Sequence, residues 1–214
     1  ISKKRMTDDI NYLDGTKSLF LIGDIHGAFT TLLHRLRQEE RYHNSYIFCV
    51  GDCGVGFKSV LSDIQNIDAG LSELGITFIG IRGNHDAPSE FTDIVSKEKD
   101  VFFVPDYSVF HHRGQTIQAI GGAVSIDRTA RINSGYGYWH NETIDFRPEL
   151  VSEVDVLITH TAPEWIGPSG IDSIQHWCVR DLNLWDDIQN ERSQIQTFIS
   201  LSKCTRHFCG HMHL

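Results

Sequence analysis

The sequence predicts an α/β fold class, and three observations lead to it. Two nearly continuous apolar runs, SLFLIG (18–23) and SYIFCV (45–50), are typical of strands that are buried on both faces. Between them, apolar residues recur at helical spacing within AFTTLLHRLRQEE (28–40). The pattern then repeats with an amphipathic helix at 60–74 and the strand ITFIGI at 76–81. These β-α-β units predict a sheet with helices packed on it.

From about Val101 the pattern changes to short strands, VFFVP, YSVFHH and QTIQAIGG, separated by turn residues. This change predicts antiparallel pairing in a second sheet. Residues 127–150 have no period, so we predict a long functional loop there. A strand at 154–160, a helical region near 180–202 and a last strand in TRHFCGHMH (205–213) follow. No linker is evident, and one domain over residues 1–214 is predicted.

Composition narrows the class of protein. The 214 residues are 40% hydrophobic and 22% charged with five prolines, which excludes disordered and fibrous classes. The longest apolar run is too short for a membrane helix, and the first residues lack the apolar stretch of a secretory signal. A net charge of −9 disfavours long nucleic acid as a partner without excluding it. Five cysteines without CxxC spacing favour a reducing, cytoplasmic location.

Polar residues with metal-binding side chains follow the predicted strands, each just past a carboxyl end. They are Asp24 and His26 in GDIHG, Asp52 in GDCG, Asn84 and His85 in GNHD, His160 in ITHTAP, and His211 and His213 in GHMH. Ligands of open α/β sheets bind at this edge, so residues far apart in the sequence are expected to converge on one site.

The residue types in this set indicate metal chemistry. Carboxylates, an amide oxygen and imidazoles together favour two divalent cations such as Mn, Fe or Zn over Mg or Ca alone. Two metals about 3.5 to 4 Å apart can hold both the attacking and the leaving oxygen of a displacement at phosphorus. The sequence therefore predicts a phosphoester hydrolase.

The same blocks resemble the calcineurin-like metallophosphoesterase superfamily, whose motifs run D-x-H, GD-x-x, GNH-[DE], H and G-H-x-H. The resemblance extends from Asp24 to His213. It implies two mixed β-sheets packed face to face and flanked by helices, a four-layer sandwich. It also implies a dinuclear-metal-dependent hydrolase of phosphoric esters that uses a metal-bridging hydroxide as nucleophile on a phosphorylated small molecule or nucleotide. The expected ions are Mn²⁺ first, with Fe, Zn or Ni as alternatives.

The resemblance also implies roles for individual residues. Seven match metal ligands, three on each ion and one shared: Asp24, His26 and His213 on the first, Asn84, His160 and His211 on the second, and Asp52 bridging both. His85 matches the histidine that protonates the leaving group or holds the substrate phosphate.

Two branches of the superfamily share features with this chain. GDIHG and Arg82 before GNHD resemble serine/threonine protein phosphatases and diadenosine tetraphosphate hydrolases. That branch, however, carries an Asp that orients the catalytic histidine and an Arg that binds phosphate in its second motif. This chain has Val55 and Gly56 at those two positions. IGGAVSIDR (120–128) and YWHNE (138–142) are instead similar to less-characterised bacterial and phage metallophosphoesterases.

Arginines are the expected phosphate contacts, because a planar guanidinium suits phosphate oxygens. Of Arg82, Arg128 and Arg131, we predict the first two as substrate-binding residues. Two roles are open for Trp139, His140 and Glu142: they either line the substrate pocket or anchor the long loop. A non-catalytic scaffold of the same fold is the remaining alternative, although such relatives typically lose the ligands that are present here.

Overall fold

The computed structural model describes residues 11–57, 61–94, 100–166 and 174–212. The strands in these ranges are β1 (Asn11–Tyr12), β2 (Ser18–Ile22), β3 (Ser45–Cys49), β4 (Thr77–Gly80), β5 (Val101–Phe103), β6 (Ser108–His112), β7 (Gln115–Ile120), β8 (Val156–Thr159) and β9 (Arg206–Phe208). The α-helices are α1 (Phe29–Gln38), α2 (Leu61–Leu74), α3 (Pro88–Ile94), α4 (Arg128–Ser134), α5 (Gln175–Cys178) and α6 (Leu184–Ser202). Two 3-10 turns, Glu40–Tyr42 and Pro148–Leu150, complete the regular structure of the described chain.

Strands β2, β3, β4 and β5 form a parallel sheet in that order. The interior strand β3 is buried along its whole length, as the apolar run predicts. Because side chains alternate between faces, Ile47 and Cys49 point into the helical layer while Tyr46 and Phe48 point to the second sheet.

The second sheet has the order β1-β6-β7-β8-β9. Strands β6 and β7 are antiparallel, and the other pairs in this sheet are parallel. Strand β8 therefore runs parallel to β9, with Val156 opposite Arg206. This mixed sheet brings the end of β8, which precedes His160, beside the end of β9, which precedes GHMH.

The two sheets pack face to face with helices outside. Phe48 and Ile79 of the parallel sheet meet Phe110 and Ile158 of the mixed sheet in one buried cluster. A second cluster joins the parallel sheet to α1 and α2, and a third joins β7 and β8 to Phe198 of α6. The predicted four-layer sandwich is confirmed, with one sheet mixed and the other, over its described strands, entirely parallel.

Two details differ from the sequence prediction. Strand β5 was expected in an antiparallel sheet, but it pairs in parallel with β4. The helix α3 precedes β5, and a helical crossover returns the chain in the same direction. Residues 127–150 were expected to form a long loop, but they contain the helix α4. Its sequence, RTARINS, has one large apolar residue, Ile132, so it shows no apolar residues at helical spacing from which the helix could be predicted.

No helix within the described ranges combines the length and the apolar character needed to cross a membrane. The prediction of one domain over residues 1–214 stays a prediction.

Helix α6 buries an acidic side chain, Glu191, against the segment that follows β7. Its Oε2 accepts a hydrogen bond from the Val124 N–H at 3.0 Å, whereas Oε1 has no partner in the part of the chain described. Burial raises the pKa of the Glu191 carboxyl from 4.5 to about 7, although backbone hydrogen bonds oppose the shift. Between these two pKa values the folded protein keeps the Glu191 proton, whereas the unfolded chain releases it. The contribution of Glu191 to the free energy of unfolding is therefore fully present below pH 4.5 and is lost as the pH rises through about 7.

We expect Glu191→Gln to stabilise the protein at pH 8 more than at pH 5.5, by about 2 kcal/mol. The neutral amide keeps an acceptor oxygen for Val124 but carries no charge to bury. Urea unfolding at both pH values measures the difference, and Glu153→Gln, at an exposed position, is the control. An equal effect at both pH values would mean that Glu191 does not titrate in this range.

Candidate metal centre

The loops after the strands meet at one edge of the sandwich. The Asp52 carbonyl accepts the His26 N–H at 2.8 Å, which joins the loop after β2 to the loop after β3. In the mixed sheet, the His160 carbonyl accepts the Gly210 N–H at 2.9 Å and joins the loops after β8 and β9. Residues that are distant in the sequence are thus brought to one site, as the strand ends predict.

Asp52 lies at the centre of this site and is 1% exposed. Its Oδ1 accepts the His85 backbone N–H at 2.9 Å and lies 3.2 Å from His160 Nε2. Its Oδ2 lies 3.8 Å from His26 Nε2. Burial opposes ionisation, but the His160 imidazole and its hydrogen bond hold the pKa of the Asp52 carboxyl well below its usual range. Asp52 is therefore an anion between imidazoles on two sides.

Two groups of potential metal donors share this carboxylate. The first comprises His26, Asp52 and His85, and the second comprises Asp52, His160 and His211. Within each group the donor atoms lie within 4.8 Å of one another. Both groups contain one carboxylate and two imidazoles, a donor set that suits divalent transition metals.

Asp24 joins the first strand of the parallel sheet to the last motif. The His211 N–H donates to the Asp24 carboxylate, at 3.0 Å from one oxygen and 3.1 Å from the other. Asp24, His26, Asp52 and His211 all have positive φ angles, of 32°, 45°, 52° and 67°. Such backbone is costly for residues other than glycine and persists where the surrounding structure enforces it, typically at functional sites.

Two glycines allow the backbone to approach these side chains. A Cβ on Gly51, whose φ is +110°, would lie 2.1 Å from His160 Nδ1. A Cβ on Gly83 would lie 2.0 Å from Asp52 Oδ1. Any other residue at either position would displace a member of the site, which explains the glycines in GDCG and GNHD.

A search of curated proteins finds no match to this sequence. A family model described as Calcineurin-like phosphoesterase matches residues 18–214. The chain belongs to the calcineurin-like phosphoesterase family. The resemblance seen in the sequence is therefore confirmed, and membership supports hydrolysis of phosphoesters with metals.

In this calcineurin-like phosphoesterase, Ser125 determines how the Asn84 side chain is oriented. Asn84 Nδ2 donates to Ser125 Oγ at 2.9 Å, which leaves Asn84 Oδ1 toward His160 Nε2 at 3.2 Å. Both Asn84 and Ser125 are buried. The amide oxygen, and not the nitrogen, is thereby presented to the candidate centre.

We expect Ser125→Ala to weaken Mn²⁺ binding by about 10- to 100-fold, because a partner that orients a ligand has effects of this size. Without the hydroxyl, Asn84 loses the contact that fixes which amide atom faces His160. Competition with a chelator measures the affinity. Ser200→Ala, at an exposed serine of α6, is the matched control. Unchanged affinity in Ser125→Ala would show that the hydroxyl does not orient Asn84.

Asp86 is a supporting residue that the sequence analysis did not single out. Its buried carboxylate accepts backbone N–H groups from Cys53, Gly54, Val55 and Gly83, at 2.7 to 3.1 Å. Burial, followed by the nearby Asp52 charge, raises the pKa of Asp86 to about 6. The carboxylate thus holds the loop after β3 against the loop after β4. The Asp in GNHD was the available signal in the sequence.

The two arginines predicted to bind substrate are engaged by other protein groups. The five N–H donors of Arg82 all have acceptors, in Asp106 and in the backbone carbonyls of residues 141–143. Arg128 pairs with Asp181 and Asp187, each at 2.6 Å. Either guanidinium would have to break these contacts to bind phosphate, and the assignment of both as substrate-binding residues stays a prediction.

Arg131, the third candidate, is the arginine that contacts His85. Its Nη2 lies 2.9 Å from His85 Nε2, and its Nη1 donates to the Asn84 carbonyl at 3.3 Å. Arginine only donates, so His85 Nε2 must accept and the ring proton resides on Nδ1. Burial, opposed by Asp52 and assisted by Arg131, lowers the pKa of His85 to about 4. The imidazole beside the centre is therefore neutral.

Glu142 anchors the long segment after β7. Its Oε1 accepts the Ser125 N–H at 3.3 Å, and its other oxygen lies 3.8 Å from Arg131 Nη1. Burial raises the pKa of the Glu142 carboxyl to about 7. Of the two roles expected for Trp139, His140 and Glu142, the anchoring one agrees with these contacts of Glu142.

His213 lies outside the described residues. The structure therefore describes the first predicted metal set through Asp24, His26 and Asp52.

Proposed function

We propose that this protein is a dinuclear-metal-dependent hydrolase of phosphoric esters in which Asp52 bridges the two metals. The observation that carries the proposal is the position of its carboxylate, with Oδ1 beside His160 and Oδ2 beside His26. A carboxylate that belongs to two donor groups can contact an ion on each side. Asp24 and His26, with His213 of the predicted set, would complete the first site, and Asn84, His160 and His211 the second.

The residues present fit such a pair of ions. The donors are carboxylate oxygens, one amide oxygen and imidazoles, a set that favours Mn, Fe, Zn or Ni over Mg or Ca, and Mn²⁺ is our first choice. His85 Nδ1 is buried and has no hydrogen-bond partner within the described ranges, so its N–H is available to a ligand bound beside the ions. Bound metals would supply Lewis acidity and lower the pKa of a bound water.

The protein's own residues would orient the groups around the metals and exclude bulk water. Ser125 directs the Asn84 amide oxygen toward the centre, and Asp86 holds the two loops that carry Asp52 and His85. Arg131 fixes the His85 tautomer, which leaves Nδ1–H to donate a hydrogen bond to a phosphate oxygen. Because Asp52, Asn84 and His160 are buried, bulk water is kept from one side of the site. Charges interact more strongly there than they would in water.

We further propose a phosphorylated small molecule or nucleotide as substrate, and a cytoplasmic location. All five cysteines are free thiols, which accords with a reducing compartment. The alternative is a protein phosphatase or a diadenosine tetraphosphate hydrolase-like enzyme. It is less favoured because Val55 and Gly56 occupy the positions of the Asp and Arg in the motif of that branch.

A parallel assay of p-nitrophenyl phosphate and bis(p-nitrophenyl) phosphate with added Mn²⁺ tests the proposal, together with metal analysis of the protein. We expect about two metal equivalents and turnover of at least one ester. Faster diester cleavage would identify a phosphodiesterase, and faster monoester cleavage would favour the phosphatase branch. A protein that binds no metal and cleaves neither ester would be the non-catalytic scaffold.

A further inference from the structure

A cavity of about 340 Å³ opens beside the candidate metal centre. It is lined by Arg131, Ile132, Gly135, Tyr136, Tyr138 and His140. The Tyr138 and His140 rings meet edge to face with their centroids 5.7 Å apart. Tyr136 is 60% exposed and presents its ring to solvent. The volume lies in the range of small-molecule sites, which begins at roughly 300 Å³.

The cavity shares a wall with the site. Arg131 lines the cavity and also contacts His85 Nε2 at 2.9 Å. The centroid of the Phe57 ring lies 4.8 Å from that of His85 and 5.5 Å from that of Tyr136. The Arg131 guanidinium also lies over Phe57, at 5.3 Å from the ring centroid. A ligand held at the metal centre could therefore extend past Arg131 and Phe57 into the cavity.

Two glycines and a hydrogen bond fix the position of Tyr136 in the cavity lining. Helix α4 ends at Ser134 and is capped by Gly135, whose left-handed φ of 67° turns the chain out of the helix. The Tyr136 hydroxyl donates to the Phe57 carbonyl. Gly137 lies so close to Phe57 that a Cβ there would be 2.2 Å from the ring. Tyr136 is thus held against Phe57 by its hydroxyl hydrogen bond and by the close approach of Gly137.

We infer that this cavity receives the nucleobase of a nucleotide substrate while the phosphate lies at the Asp52 centre, an inference that rests on the proposed function. Exposed tyrosine and histidine rings stack on the flat face of any base. The Tyr138 hydroxyl and the His140 ring nitrogens can form hydrogen bonds with the polar edge of a heterocycle. A hydrocarbon chain would use neither these groups nor the Arg131 charge.

The test compares nucleoside 5′-monophosphates with ribose 5-phosphate, which has the same sugar and phosphate but no base. Calorimetric titration into Mn²⁺-loaded protein that carries His85→Ala, the substitution expected to slow turnover with both metals bound, measures binding with little hydrolysis. We expect the nucleotides to bind at least about tenfold more tightly than ribose 5-phosphate, as one base stack is worth about 10-fold or more. Tyr136→Leu and Tyr138→Ala should remove this advantage, and Tyr12→Ala, an exposed tyrosine of β1, should retain it.

Equal affinity for ribose 5-phosphate and the nucleotides in protein whose cavity is unaltered overturns the inference, whatever the cavity variants do. The p-nitrophenyl ester assay separates this result from failure of the proposed function. Ester turnover without a preference for nucleotides removes the base site alone. A nucleotide preference that the two cavity variants abolish supports the base site, even where neither p-nitrophenyl ester is cleaved.

Discussion

Asp52→Asn is expected to reduce the bound metal from two equivalents to less than one and to lower turnover by at least about a thousandfold. The neutral amide replaces an anion that lies between His160 and His26, so both proposed sites lose a charged oxygen together. Metal stabilisation of the transition state is worth several kcal/mol, which corresponds to about a thousandfold in rate. Metal analysis and p-nitrophenyl ester assays measure the two effects.

Asp145→Asn is the control for this experiment, because Asp145 is exposed and pairs with Arg147 at the surface. It should retain both metals and full turnover. Loss of one metal equivalent from Asp52→Asn, with the second bound normally, would contradict the bridging role. In that case Asp52 would serve a single ion.

His85→Ala is expected to lower turnover by about 10²- to 10³-fold while both metals remain bound. Removal of one hydrogen-bond donor aimed at developing charge has an effect of this size. Because Arg131 donates to Nε2, His85 holds its proton on Nδ1 and can donate a hydrogen bond without giving the proton up. We therefore expect the same loss for phenyl phosphate as for p-nitrophenyl phosphate, whose leaving groups differ in basicity.

A larger loss with phenyl phosphate would instead assign proton transfer to the leaving group, since the more basic oxygen needs the proton more. Loss of a metal equivalent would make His85 a ligand, as its distance from His26 and Asp52 permits. His34→Ala, which removes an exposed histidine from α1, should change neither quantity.

The sequence was informative about the site because strand ends are local features. The buried run SYIFCV fixes β3, and Asp52 follows it in a glycine-rich turn, so its place at the sheet edge could be predicted from a few residues. The same holds for Asn84 after β4 and His160 after β8. The four-layer order was implied by the family resemblance, and the alternation of helices and strands agreed with it, with the direction of β5 as the exception.

The contacts of the arginines could not be predicted in this way. Arg82 is adjacent to GNHD, yet its direction is determined by Asp106 and by carbonyls of residues 141–143, about 60 residues away. Arg131 lies in a polar helix without a periodic pattern, and its contact with His85 bridges 46 positions. Such contacts depend on how distant segments pack, which neither periodicity nor motif spacing records.

The bond between the His211 N–H and the Asp24 carboxylate spans 187 positions. Contacts between residues so far apart in the sequence form slowly during folding, because closing the long loop between them costs conformational entropy. A chain emerging from the ribosome carries Asp24, His26 and Asp52 long before His211 has been synthesised. The nascent protein can fold its parallel sheet early, but its second donor group is complete only when nearly all of these 214 residues have been made. If the proposed centre binds metals, its complete loading would therefore follow synthesis of the last motif.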